Sequence, residues 1–197
     1  SEAVGEPVCT WTTSGASALA DTSVTYGTPA GTDHHTAAVT IADGDADGTV
    51  GFSCTYSDTA GNAIASAITS LSSGSAITID NTHPTSTSAV LAVGGSGDGN
   101  NGDDVTLTLN PSEDVGTPTC SFTSGGAAMA DSSIDYATVG GTDHHTAAIT
   151  VADADTDGAV AFSCTYSDTA GNAIATAITA ASSGAVTVDN THPTASA

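Results

Sequence analysis

The 197-residue chain carries 22 acidic side chains and no lysine or arginine, a formal net charge of −22, with 39% hydrophobic and only 4% aromatic residues. Nothing in it neutralises phosphates, which excludes a nucleic-acid partner and disfavours insertion into or docking on anionic membranes; cations are the natural counterparts. The hydrophobic share and regular alternation indicate a folded chain rather than acidic disorder, with thin Val, Ile, Leu and Ala cores that call for covalent support.

In chain order, residues 1–14 (SEAVGEPVCTWTTS) place Cys9 and Trp11 on one face of a strand. Residues 15–33 form a Gly/Ala/Ser-rich connection with a short strand near Val24 and Tyr26. After the pair His34-His35 comes a strand over Thr36–Ile41, then an acidic turn, ADGDADG, at 42–48. In FSCTYSDTAGNAIA (52–65), Phe52, Cys54 and Tyr56 alternate with Ser53, Thr55 and Ser57, a period of two that predicts a half-buried strand. It ends in a turn at Asp58–Asn62, where Asp, Gly and Asn supply the turn chemistry. A further alternating run, Ala63–Thr69, and a last strand over Ser75–Asp80 with Ile77 and Ile79 inward complete the unit. Residues 82–85 (THPT) read as a linker, because a residue before proline is biased to extended backbone.

The same text then returns. FSCTYSDTAGNAIA recurs at 162–175, Cys120 and Phe122 stand where Cys9 and Trp11 stood, and Asp189–Pro193 repeats Asp80–Pro84. Two units follow, 1–84 and 85–197. The second adds what the first lacks: a strand over Ser88–Val93, a Gly/Asp/Asn loop at 94–104, and a strand in which Val105, Leu107 and Leu109 alternate. The first begins at a point equivalent to Ser112, without those two strands, so an apolar groove and unpaired strand edges are expected on it. The chain reads as a mature segment or fragment of a longer tandem array, with neither signal peptide nor membrane span.

The four cysteines fall two per unit, 45 and 44 residues apart, each on the apolar face of a predicted strand. Bridges Cys9–Cys54 and Cys120–Cys164 through the interior of each unit are the leading reading and imply an oxidising compartment. Metal ligation, which lacks a C-x-x-C pair, and reduced core thiols are the alternatives.

Acidic clusters are the main candidates for chemistry. Asp43, Asp45 and Asp47, and again Asp153, Asp155 and Asp157, spell D-x-D-x-D-G. Alternate carboxylates in a tight turn converge on a hard cation in EF-hand loops; the closing glutamate is absent here and the flanks are strands. Asp58, Asp80, Asp98, Asp103, Asp104, Asp168 and Asp189 sit at turns and strand ends, as candidate calcium ligands or as ordinary turn residues. Adjacent histidines on a strand point to opposite faces, so His34-His35 and His144-His145 are poor chelators and read as strand-edge residues. No nucleophile elbow or phosphate loop is present, and polar residues recurring identically in both units fit scaffold parts better than one active site.

The segments DDVTLTLNPSEDVGTPTCSF, TAAITVADADTDGAVAFSCTYSDTAGN and VTVDNTHPT resemble the bacterial-type immunoglobulin-like tandem repeats of giant extracellular surface, adhesin and fibre proteins. The resemblance implies seven-stranded sandwiches acting as spacers, often stiffened by calcium. The paired cysteines and the lack of basic residues depart from that pattern. The expectation is therefore an all-β chain of two immunoglobulin-like sandwiches, the first lacking two strands. Its expected function is that of a non-enzymatic structural segment of an extracellular filament, surface fibre or giant adhesin, continuing head to tail either as a piece of a longer tandem array or by strand donation from neighbouring copies. A calcium-dependent carbohydrate- or surface-binding module is the alternative. Calcium is the candidate cofactor, and O-glycans on the many Ser and Thr are a candidate modification.

Overall fold

The computed structural model describes residues 3–13, 17–29, 34–94 and 97–195; residues 14–16 and 30–33 of the Gly/Ala/Ser-rich connection, and 95–96 of the Gly/Asp/Asn loop, lie outside the described residues. Every regular element among the described residues is a strand. The chain divides into two compact units, Ser1–Thr82 and His83–Ala197. The partition falls two residues before the expected one, because the His-Pro segment belongs to the second unit. His83 Nδ1–H donates to the Ala173 carbonyl at 2.7 Å, Pro84 is fully buried, and Thr85 N–H donates to Ser112 Oγ at 3.0 Å.

In the second unit the strands are β7 (Ser86–Val93), β8 (Asp98–Gly99), β9 (Asp104–Pro111), β10 (Thr119–Ser124), β11 (Ala127–Ala128), β12 (Asp135–Thr138), β13 (His145–Thr150), β14 (Gly158–Thr165) and β15 (Thr187–Val188). They form two sheets, ordered β12-β13-β9-β7 and β11-β10-β14-β15-β8. Four strands on one face and the three central strands on the other, with a two-residue strand added at each edge, are the sheet pairing of an immunoglobulin-like sandwich. The alternation seen in sequence is the cause. Val105, Leu107 and Leu109 of β9 are completely buried, as is Ala147 of β13, and Phe122, Phe162, Cys164 and Val188 face them from the other sheet's strands in one core. The β9–β13 register sets His145 opposite Leu109, Ala147 opposite Leu107 and Ile149 opposite Val105. β7 pairs with β9 on one side, while on the other Leu91 N–H donates to the Ser183 carbonyl at 3.1 Å.

The first unit comprises β1 (Val8–Thr12), β2 (Thr25–Gly27), β3 (Thr36–Ala38), β4 (Gly48–Thr49), β5 (Gly51–Thr55) and β6 (Thr78–Ile79), in three two-stranded pairs: β1-β5, β2-β3 and β4-β6. Each has its counterpart in the second unit: β1 matches β10, β2 and β3 match β12 and β13, β4 with β5 matches β14, and β6 matches β15. Nothing among its described residues matches β7 or β9. The consequence is visible in near-identical sequence. β3 holds three residues where β13 holds six, and the continuous β14 is split at Val50. Side chains that β7 and β9 cover in the second unit lie open in the first. Ile41 is 47% exposed against 1% for Val151, Ile68 42% against 9% for Ile178, and Ile77 61% against 3% for Val186. Each such side chain forgoes up to about 2 kcal/mol of burial.

The cysteines are paired as Cys9–Cys54 and Cys120–Cys164. The expectation of bridges through the interior is corrected in one respect. The partners stand directly opposite one another on adjacent antiparallel strands of one sheet, β1 with β5 and β10 with β14, with Cα atoms 4.1 Å apart. That spacing belongs to a non-hydrogen-bonded pair, whose N–H groups point away from each other. Cys54 and Cys164 therefore donate outward to the Ile68 and Ile178 carbonyls, each at 3.0 Å. On the opposite edge, Cys9 N–H donates to the Tyr26 hydroxyl at 2.8 Å and Cys120 N–H to that of Tyr136 at 2.9 Å. A phenol from the facing strand thus closes the edge in both units.

Candidate functional site

The D-x-D-x-D-G turns are built the same way twice. Asp45 is buried; its Oδ1 accepts from Ala20 N–H at 2.6 Å and its Oδ2 from Ala42 N–H at 2.8 Å. Asp155, also buried, accepts from Ala130 N–H at 2.6 Å and Ala152 N–H at 2.8 Å. Asp47 accepts from Asn81 N–H at 2.7 Å and from the Thr82 hydroxyl; Asp157 does so from Asn190 N–H at 2.7 Å and the Thr191 hydroxyl. These bonds hold both carboxylates below the usual carboxylate range, the threonine hydroxyl being the larger cause. Asn81 and Asn190 complete the clasp by donating from Nδ2 to the carbonyls of Ala42 and Asp45, and of Ala152 and Asp155. Two of the three carboxylates in each turn therefore engage backbone donors from separate segments, tying the acidic turn to the end of the last strand. Asp43 and Asp153 are exposed.

The D-x-A-G-N turns follow a second pattern. Asp58 accepts from Asn62 Nδ2 at 2.7 Å, Asn62 N–H at 2.8 Å and Ala60 N–H at 2.9 Å, and Asp168 makes the matching bonds to Asn172 at 2.8 Å and 2.8 Å and to Gly171 N–H at 2.7 Å. Gly61 (φ +93°) and Gly171 (φ +102°) take the left-handed backbone that brings these donors round. The Asn62 bonds hold Asp58 below its ordinary value. For Asp168 burial pushes upward, and the combined bonds from Asn172, Gly171 and Ala170 outweigh it.

Of the remaining acidic candidates, Asp80 accepts from Thr82 N–H at 3.1 Å, Asp189 from Thr191 N–H at 3.0 Å, Asp103 from Asn100 N–H at 3.0 Å, and Asp104 from the Thr150 hydroxyl at 2.8 Å. Asp98 is exposed at the start of β8, which pairs in parallel with β15. Asp153 and Asp189 are brought together in the second unit, with Asn100, Asn101 and Asn190, around a cleft of about 400 Å³. Its carboxylate and amide oxygens are hard donors of the kind calcium takes.

His34 is exposed, as the strand-edge reading expects, while the other three histidines of the two pairs are covered to different degrees. His145 is buried opposite Leu109, with its neighbour His144 half-buried, while His35 lies 3.3 Å from the Thr28 hydroxyl and lines the open groove of the first unit. That groove, about 770 Å³, is walled by Trp11, Phe52, Cys54, Tyr56, Ile68 and Ile77 among others. Trp11 is half-buried, its ring 5.9 Å from that of Phe52, and its indole N–H is enclosed without a hydrogen-bond acceptor. The two edge-closing tyrosines, Tyr26 and Tyr136, were missed by sequence reasoning. Their signal was a tyrosine spaced 17 and 16 residues after the first cysteine of each unit.

No family model matches the chain, and no curated protein matches it. Among solved structures, a chimeric titin Z1Z2 functionalized with a KLER exogenous peptide from decorin is similar: 17% identical, covering 93% of this chain and 80% of that one, with a TM-score of 0.34. At that TM-score the likeness adds nothing to the immunoglobulin-like assignment, which stands on strand order and core. No helix among the described residues is long and apolar enough to cross a membrane.

Proposed function

We propose that this chain is a structural repeat segment of an extracellular filament, surface fibre or giant adhesin of the bacterial immunoglobulin-like type, continuing head to tail with strands exchanged between neighbouring units. The observation that carries the reading is a single disulfide-locked body present twice, closed by β7 and β9 in one unit and open in the other. Such a body is a building block whose free face is completed by what lies next to it. The polar residues support a scaffold role over catalysis, because the same carboxylates bind the same backbone donors in both copies. Two disulfides fit an oxidising, extracellular location, and the net charge of −22 keeps such an assembly soluble. Electron microscopy of native material is the test: filaments with a regular axial repeat are expected, and free, monodisperse particles overturn the reading.

The alternative, a calcium-dependent carbohydrate- or surface-binding module, draws on the oxygen-lined cleft of Asp153 and Asp189. It ranks second because Trp11, the one tryptophan, is half-buried in the groove with its ring tilted 46° against Phe52 rather than standing out as a sugar platform. Saturable quenching of Trp11 fluorescence by sugars would reverse the order.

A further inference from the structure

We infer that the groove of the first unit is the seat of a β-hairpin of the β7–β9 type, supplied by another copy of the repeat. This rests on the proposal of strand exchange and names its occupant. Both walls of the seat are defined by what the second unit does with equivalent residues.

The first wall is the free edge of β3. In the second unit β9 lies along β13 with Val105, Leu107 and Leu109 opposite Ile149, Ala147 and His145. Val39, Ala37 and His35 hold those positions in the first unit, and the same register sets an incoming Val-x-Leu-x-Leu strand against them. The second wall is the segment at Ser72–Gly74. Its counterpart, Ser182–Gly184, grips β7: Ser182 N–H donates to the Ala89 carbonyl at 2.7 Å, Ser182 Oγ accepts from Ala89 N–H at 2.9 Å, and Leu91 N–H donates to the Ser183 carbonyl. A Cβ on Gly184 would stand 1.9 Å from the Leu91 carbonyl oxygen, so β7 fits only against glycine. Gly74 has the same left-handed backbone, φ +91° against +82°, and open space where that carbonyl sits in the second unit. The floor between the walls is already apolar, with Ile68 and Ile77 in the places of Ile178 and Val186.

The test uses the full oxidised chain and a synthetic peptide of residues 86–111, followed by Trp11 fluorescence, native mass spectrometry and amide exchange. Binding of one peptide per chain is expected, with a blue shift of Trp11 and slowed exchange at Thr36–Ala38. A peptide carrying Leu107→Asp and Leu109→Asp should bind about a hundredfold more weakly or worse. Refusal of the peptide by a monomeric chain overturns the inference. So does binding that slows exchange only in the second unit, or a dimer that pairs groove to groove and excludes the peptide. The outcome separates from the filament reading. Peptide capture without native filaments leaves the seat and removes the fibre, whereas native filaments with peptide refusal do the reverse.

Discussion

The two units share a turn, a clasp, a disulfide and the apolar character of their equivalent inward positions, yet one closes its core and the other leaves it open. Leu107 and Leu109 have no counterpart in the first unit, and Ile41, Ile68 and Ile77 are exposed there for want of anything to lie against. Side-chain identity decides which face of a strand is apolar; whether that face becomes interior depends on a neighbouring strand. The first unit is held chiefly by its disulfide and its acidic clasps, the second by a closed core as well.

Reduction is the strongest way to separate them. A cross-link closing a loop with a sequence separation of 45 contributes about 4 kcal/mol on the chain-entropy account. Under reducing conditions the first unit is expected to unfold while the second stays folded, read by Trp11 emission for the first and amide exchange for the second; simultaneous loss of both would dissolve the contrast. Next is Leu107→Ala, which opens a cavity in a completely buried position and should cost about 3 kcal/mol. The melt of the second unit moves and the Trp11 signal does not. Asp155→Ala strips acceptors from the Ala130 and Ala152 N–H groups and should cost about 2 kcal/mol, with Asp45→Ala giving a matching loss in the first unit.

Acid sharpens the comparison from another side. The folded values of Asp47, Asp58, Asp157 and Asp168 lie below the ordinary 3.8. A depressed carboxylate contributes stability that is present above its unfolded value and lost as pH falls through the folded one. Both units should therefore hold down to about pH 4 and weaken below it, the open unit first, in an acid titration followed by circular dichroism. Calcium is expected to act last and least. At 10 mM, with a dissociation constant of about 1 mM, it adds roughly 1.4 kcal/mol to the second unit. Asp153→Asn with Asp189→Asn should abolish the rise in melting temperature, and equal melts with calcium and chelator would remove the cleft from consideration.

The strands around Cys9, Cys54, Ser88–Val93 and Val105–Leu109, the two-unit layout and the open groove were legible because a period of two and a duplicated text are local signals. Ala63–Thr69 forms no strand, and only Thr36–Ala38 and Thr78–Ile79 of the expected Thr36–Ile41 and Ser75–Asp80 do. Ile77, expected inward, is exposed because the first unit has no strand to lie over it. The cysteine pairing was legible too, but not its place within one sheet, since loop length is indifferent to whether the partners are neighbours or face each other. What the acidic turns do within the fold was not legible, for a physical reason. D-x-D-x-D-G shows three carboxylates in a row, whereas the use of Asp45 depends on the Ala20 N–H, 25 residues away, and that of Asp47 on Asn81, 34 residues away. Tyr26 and Tyr136 act through a register that no local pattern announces.

The sulfur bridge between adjacent strands has a further consequence under tension. A pull along the chain enters at Cys9 and leaves at Cys54 through the bond, bypassing the residues between them, and again from Cys120 to Cys164. At about 3.3–3.6 Å per stretched residue, a separation of 45 withholds roughly 150 Å of slack from each ruptured unit. A tether so made lengthens little when a link gives way, and reductant would let out the hidden rope.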